Sequence, residues 1–247
     1  VLSSVQNVAR ILHSFRVDCP ELSLTELSRS LQIPKSTMFK LLYTLQAEGF
    51  LERNEETGNY RPGRQLWTLA RTMLSHSVLA KEALPFLRRL AKETGMSAHL
   101  SYFEHGEAVW IEKVNARSEI PLYSRPGRHV PAYAPASGRA ILAYLPQTLW
   151  GPLLAREWVR LTPHTLTDKD RFLAELSRVR RVGYALQREE VDLGIASIGV
   201  PLFGTGKTPI ASISIAGPAA VFTEENASRL GGLLKEVASG VAEYATV

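Results

Sequence analysis

Ser23-Leu24-Thr25-Glu26-Leu27-Ser28-Arg29, then Ile33-Pro34-Lys35-Ser36-Thr37-Met38-Phe39-Lys40-Leu41-Leu42-Tyr43-Thr44-Leu45, is the stretch on which the fold turns. Ser23 and Glu26 have the Ser-x-x-Glu spacing of a capping box, in which each side chain satisfies the other's backbone N–H at a helix start. Leu24, Leu27, Ser28 and Leu31 then share one helical face. Gln32-Ile33-Pro34 makes a tight connection, because proline is tolerated only in the first turn of the helix that follows. That helix is expected from about Lys35 to Glu48, stopping at Gly49, a good residue past a helix end. Upstream, Val5, Val8, Leu12 and Phe15 fall at helical spacing after Ser4, the expected N-cap, and Cys19-Pro20 breaks the pattern. Downstream, residues 50–53 and 59–61 read as a β-hairpin joined by Asn54-Glu55-Glu56-Thr57-Gly58. Helix, helix, tight turn, helix and hairpin is the order of a winged helix-turn-helix, here residues 1–63.

The third helix carries the chemistry. Met38, Leu41, Leu42 and Leu45 form its apolar stripe. The opposite side presents Ser36, Lys40, Tyr43 and Ala47, flanked by Thr37 and Thr44. From Ile33 to Ala47 there are two lysines and no acid. Hydroxyls and amines can reach base edges and phosphates in a major groove, and no carboxylate repels the backbone. The expected DNA-contacting set is Lys35, Ser36, Thr37, Phe39, Lys40, Tyr43 and Thr44, with Arg53, Arg61 and Arg64 from the hairpin and the residues just beyond it. The competing interpretation of the helix alone is a three-helix bundle with a solvated polar face.

These residues resemble the IclR family of bacterial transcriptional regulators. The likeness rests on Leu24-Thr25-Glu26-Leu27-Ser28-Arg29, Ile33-Pro34-Lys35-Ser36-Thr37, Leu41-Leu42, Leu45, Glu48-Gly49-Phe50 and Thr57-Gly58-Asn59-Tyr60-Arg61. It implies a winged helix joined by a linker helix, residues 64–80, to a GAF-like effector-binding domain, residues 81–247. The fold class is then α+β with a mainly antiparallel sheet in the second domain.

The 247 residues fit two domains of ordinary size. Lys plus Arg is 29 against 24 Asp plus Glu, a net charge of +5 that permits nucleic acid as a partner without establishing one. No apolar run is long enough to span a membrane, nothing at the N-terminus looks like a signal peptide, and one cysteine, Cys19, forms no intrachain disulfide. A cytoplasmic protein is the expectation. Two stretches lack acids altogether, residues 57–81 and 120–156, the second holding Arg125, Arg128, Arg139 and Arg156.

Residues 64–92 have a helical pattern with Leu66, Leu69, Ala70 and Met73 on one stripe and a break expected at Pro85. They serve either as a linker with a dimer contact or as the opening helix of the second domain. Strands are expected at 99–103, 108–114, 184–188, 195–202 and 209–216. Helices are expected at 137–144, at 168–182 after Thr167 as cap, and from Thr223 onward. Ala196, Ile198, Val200 and Leu202 share one strand face, as do Ala211, Ile213 and Ile215. Ser197 and Gly199, and Ser212 and Ser214, fall opposite. Such small-residue faces either admit close helix packing or floor a cavity. Pro135-Ala136-Ser137-Gly138-Arg139 could set N–H groups and a cation at a helix start, where anions are favoured. The resemblance adds that the effector site draws on Val130, Ala136, Ser137, Gly138, Gln187, Ser197 and Ser214, with Arg139 as the cation. Gln187 stands where an acid is frequent, Ser197 where a cysteine can occur, and Arg139 where lysine is usual, so the effector should differ from glyoxylate.

Catalytic signals fail on inspection. Gly204-Thr205-Gly206-Lys207-Thr208 lacks the first glycine of a phosphate loop and joins two strands. Neither Gly194-Ile195-Ala196-Ser197 nor Ala136-Ser137-Gly138 is a nucleophile elbow. The histidines make no metal set, and Glu189 and Glu190 should point to opposite strand faces. The expectation is therefore no enzyme, no cofactor and no metal, but a homo-oligomeric regulator that binds double-stranded operator DNA and a small anionic organic effector. The rival is an enzyme acting on a small carboxylate, with the helical unit as an oligomerisation module.

Overall fold

The computed structural model describes residues 2–16, 19–76, 78–115, 124–149 and 151–244, with backbone alone for residues 71–76, 78 and 244. The chain divides into two compact units, residues 1–77 and 78–247.

The first unit runs α1 (Ser3–Ser14), α2 (Leu24–Leu31), α3 (Lys35–Ala47), β1 (Leu51–Arg53), β2 (Tyr60–Pro62) and α4 (Arg64–His76). The capping box forms as expected: Ser23 Oγ accepts from Glu26 N at 3.2 Å, and Ser23 N donates to Glu26 Oε2 at 2.8 Å. Gln32 takes a left-handed conformation, φ 55°, and its N–H closes α2. Ser28 N–H is spent in the helix, but its hydroxyl donates to Ile33 O at 2.6 Å, pinning the turn. Ile11, Leu27, Ile33, Met38, Leu42, Leu45, Leu51 and Tyr60 make the core. Leu41, counted with the apolar stripe, is only half-buried at its margin. Ser4 does not cap α1, which starts one residue earlier behind Leu2 with no side-chain cap.

The second unit contains α5 (Val78–Thr94), β3 (Ser97–Glu104), β4 (Glu107–Val114), β5 (His129–Pro131), α6 (Ala136–Leu142), α7 (Gly151–Ala155), α8 (Lys169–Val182), β6 (Ala185–Arg188), β7 (Ile195–Phe203), β8 (Pro209–Pro218) and α9 (Glu224–Tyr244). The strands form one sheet in the order β5-β4-β3-β8-β7-β6, every neighbouring pair antiparallel. Ala98, Leu100, Ile198, Val200, Leu202, Ile213 and Ile215 point to one face, where Leu87, Leu90, Leu230 and Leu234 of α5 and α9 cover them. On the other face lies α6, packed in turn by Tyr133, Trp158 and Phe172. Tyr133 and Trp158 stack at 4.2 Å, and Phe172 meets Trp158 edge-on at 4.9 Å.

Three sequence expectations change here. Pro85 does not break the helix; α5 runs through it. Pro85 is exposed, so the carbonyl it displaces can turn to water, while Ala83, Leu87 and Leu90 on the buried side hold the helix down. Asp168, not Thr167, caps α8, accepting from Arg171 N at 2.9 Å. β5 and α7 were not expected, being too short for their periodicity to register. On α4, Leu66 is half-buried while Leu69 and Trp67 are exposed, and the side chains of Arg71 and Met73 lie outside the described residues.

Candidate nucleic-acid interface and ligand site

On α3 every expected contact residue is exposed: Lys35, Ser36, Thr37, Phe39, Lys40, Tyr43 and Thr44. Lys35 and Lys40 have no ion-pair partner among the described residues. Lys40 sits mid-face, with Phe39 and Tyr43 on one flank and Thr37 and Thr44 on the other. The Thr44 hydroxyl is spent on Lys40 O at 2.9 Å.

The hairpin differs from expectation. Arg61 is engaged by Glu52 at 3.3 Å and Glu21 at 3.7 Å. Arg53 donates to Gly58 O and lies over the Tyr60 ring at 5.9 Å. Arg64 is nearly fully exposed, 3.7 Å from Glu52. The tip carries Glu55 and Glu56, both exposed. Net positive charge therefore concentrates on α3 rather than on the wing. Strand pairing sets Glu52 opposite Arg61 within the expected hairpin, while Glu21, forty residues earlier, reaches it beside the Leu22–Tyr60 bridge.

In the second unit, strand register lays out a polar floor. One cross-strand row is Ser97–Ala216–Ser197–Gln187, the next His99–Ser214–Gly199–Ala185, the third Trp110–Ser101–Ser212–Pro201. A Cβ on Gly199 would stand 3.0–3.1 Å from the backbone of Ala136 and Ser137. The first turn of α6 thus sits over the part of the floor that holds Ser214. The close-packing interpretation of the small-residue face applies at Gly199, which admits the helix, and the serines lie in the rows around it. Ser101, Ser137 and Ser212 are buried with hydroxyls that have no hydrogen-bond partner among the described residues. Such groups are uncommon in native folds and call for a ligand or water.

Other expected residues are already engaged. Gln187 Nε2 donates to Ser197 Oγ at 2.9 Å, and Gln187 Oε1 accepts from Glu190 N. Val130 is buried in β5. Gly138 passes so close to Ala132 that a Cβ would stand 2.2 Å from its carbonyl oxygen. Arg139 is not the free cation that its acid-free surroundings suggested. It is buried, with Nη1 donating to Glu190 Oε1 at 2.9 Å, Nη2 to Glu190 Oε2, and Nε to Tyr133 O at 2.7 Å. Glu189 and Glu190 do point apart, though in a turn rather than on a strand: Glu189 has φ 56° and accepts from Gly194 N.

His99, one of the histidines that make no metal set, lies on the floor in the row of Ser214. Its Nε2 is 2.8 Å from Ser124 Oγ, and burial, helped by the Lys113 charge, lowers its pKa to about 3. The imidazole is neutral at physiological pH and offers one donor and one acceptor. The β3 alternation of Ser97, His99 and Ser101 against Ala98 and Leu100 carried the signal for both His99 and Ser101. A separate groove of about 660 Å³ runs along α8 and opens on the Arg139–Glu190 pair, not on the serine floor. Among the described residues no cluster of histidine, cysteine and acid suits a metal ion, and no helix is long and apolar enough to cross a membrane.

Comparison with known proteins agrees with both halves. Residues 4–55 match the IclR helix-turn-helix domain, and residues 71–243 match the bacterial transcriptional regulator IclR C-terminal domain. The HTH-type transcriptional regulator XynR of Escherichia coli K12 is 32% identical over 216 residues, covering 87% of this chain and 86% of XynR. An IclR transcriptional regulator from Alicyclobacillus acidocaldarius superposes with a TM-score of 0.86 at 28% identity, over 99% of both chains. An IclR homologue from Microbacterium hydrocarbonoxydans, solved with 4-hydroxybenzoate, gives 0.84 at 25% identity, over 98% of this chain and 99% of that one. With a winged helix-turn-helix in the first unit, helices on both faces of an antiparallel sheet in the second, and family matches over both, the chain belongs to the IclR family of bacterial transcriptional regulators.

Proposed function

We propose that this regulator senses a small organic acid on the serine floor beneath α6 and thereby changes its affinity for operator DNA. The observation that carries the reading is the set of three buried hydroxyls without partners among the described residues, Ser101, Ser137 and Ser212, beside Ser214 and Ser197. Each hydroxyl can donate to a carboxylate, and a hydrogen bond to a charged group contributes about 1.5–3 kcal/mol. With Arg139 neutralised by Glu190, hydroxyls and backbone N–H groups do the binding in place of a guanidinium. The 4-hydroxybenzoate bound by the Microbacterium relative supports an organic acid as the class of ligand. The chain acts as a homo-oligomer in the cytoplasm, since helix-turn-helix half-sites lie about one helical turn apart and one chain supplies one reading helix. The linker helix, expected over residues 64–80, contributes to that pairing through its exposed Trp67 and Leu69. Effector and operator then compete or cooperate through a single coupling free energy, so each alters the other's affinity by the same factor.

A thermal-shift screen of small carboxylates, followed by calorimetry with the best binder, tests the site. Ser214→Ala removes a donor without adding bulk beneath α6. It should fold, still bind operator, and lose effector affinity at least tenfold. Unchanged effector affinity in both Ser214→Ala and Ser137→Ala would place the ligand elsewhere.

On the DNA side, Lys35→Ala and Lys40→Ala should each flatten the log–log salt dependence of operator binding by about 0.9. Arg61→Ala should change it far less, because Glu21 and Glu52 already neutralise that guanidinium. Fluorescence anisotropy at three salt concentrations distinguishes these slopes. Equal slopes in all four proteins would remove α3 from the interface.

A further inference from the structure

We propose that Phe39 and Tyr43 act together as a methyl reader, selecting thymines at two nearby steps on one strand of the operator. The inference rests on α3 entering the major groove and goes beyond it by assigning base chemistry to one flank of that helix.

Phe39 is 54% exposed and Tyr43 65%, and neither belongs to the core of its unit. Their rings lie one helical turn apart, centroids 6.3 Å, planes 25° from parallel, forming a continuous apolar plate on an otherwise polar face. A phenyl ring has no donor or acceptor, so Phe39 can bond neither phosphates nor the polar edges of bases. The apolar group that a major groove displays is the thymine C5 methyl. Four residues of helix rise about 6 Å, which matches roughly two base steps of about 3.4 Å along one strand. Two rings so spaced meet two thymines, adjacent or one step apart. The charge around the plate fits the same occupant: Lys35 and Lys40 flank it, both exposed, and no acid occurs between Ile33 and Ala47. A plate meant for a second protein chain has no need of unpaired lysines at its border and no acid.

The test uses the full chain. A preferred duplex is selected from a random pool, and each thymine is then replaced singly by uracil, which deletes the methyl and nothing else. One or two positions on one strand should lose about three- to fivefold in affinity, the equivalent of one buried methyl at about 0.8 kcal/mol. Phe39→Ala and Tyr43→Ala, both at exposed positions, should fold by circular dichroism, and each should abolish the uracil sensitivity of one position. Tyr43→Phe should retain it. Uracil neutral at every position, with Lys40→Ala still weakening binding, overturns the methyl reader and leaves α3 as the reading helix. Uracil neutral together with a lower oligomeric state in Phe39→Ala also overturns it, making the plate an interface between copies. A duplex that binds the wild type and the Lys40→Ala variant alike overturns the inference along with the reading beneath it.

Discussion

Arg139→Ala is expected to lose about 3–5 kcal/mol of stability, a large share of what an ordinary domain possesses. Arg139 is 2% exposed and its partner's side chain 12%. Glu190 accepts both terminal nitrogens of the guanidinium and also Leu166 N at 2.8 Å. Truncating the arginine leaves the carboxylate with one backbone donor and only the groove along α8 to hydrate it, so most of its desolvation cost falls on the folded state. The pair itself has little net worth relative to an apolar replacement, so Arg139→Met combined with Glu190→Leu should recover most of the loss. Urea unfolding of both variants decides this. A loss below about 1 kcal/mol in Arg139→Ala would mean that water reaches Glu190 and that the pair is not buried in solution.

Gly138→Ala should cost at least about 1–3 kcal/mol and weaken effector binding at the same time. The added methyl would lie 2.2, 2.7 and 2.8 Å from the O, Cα and C of Ala132, all backbone atoms that no rotamer change can move aside. α6 must shift, carrying Ser137 away from the floor. Gly232, on α9, provides the control, because an added Cβ there meets nothing within 4 Å. Gly232→Ala should stabilise by roughly 0.5–1 kcal/mol through helix propensity alone. Thermal unfolding that ranks Gly138→Ala at or above the wild type would contradict the close approach of α6 to β5.

Local rules carried most of the first unit, although Ser4 fails as the cap of α1. The capping box, Pro34, Gly49 and the leucine spacing all act within a few residues, and each appears at its place in the structure. Strand alternation likewise placed Ser197 and Ser214 on the face opposite Ile198 and Ile213. What a linear reading could not reach was pairing at long range. The acid-free stretch around Arg139 suggested a cation in want of an anion, yet Glu190, fifty-one residues on, supplies one. Arg61 was assigned to phosphate for the same reason, and Glu21 and Glu52 hold it. Ser101 and Ser212 are opposite one another only because β3 lies next to β8. That neighbour relation joins segments more than a hundred residues apart, and no spacing rule anticipates it. Pro85 shows the converse: an intrinsic helix breaker was overridden because its turn is exposed and the packing beneath it is continuous.

The two-faced sheet has a consequence for how such a protein changes its ligand over evolutionary time. Positions 97, 99, 101, 197, 212 and 214 lie on the face opposite the α5 and α9 core, so an exchange there is felt by α6 rather than by that core. A slip of register by one residue would invert this arrangement, turning serines into the apolar layer and isoleucines out of it. The core thus enforces the alignment of the floor while remaining indifferent to what the floor displays. Single substitutions that fit beneath α6 can therefore alter the floor while the α5–α9 side of the sheet stays as it is.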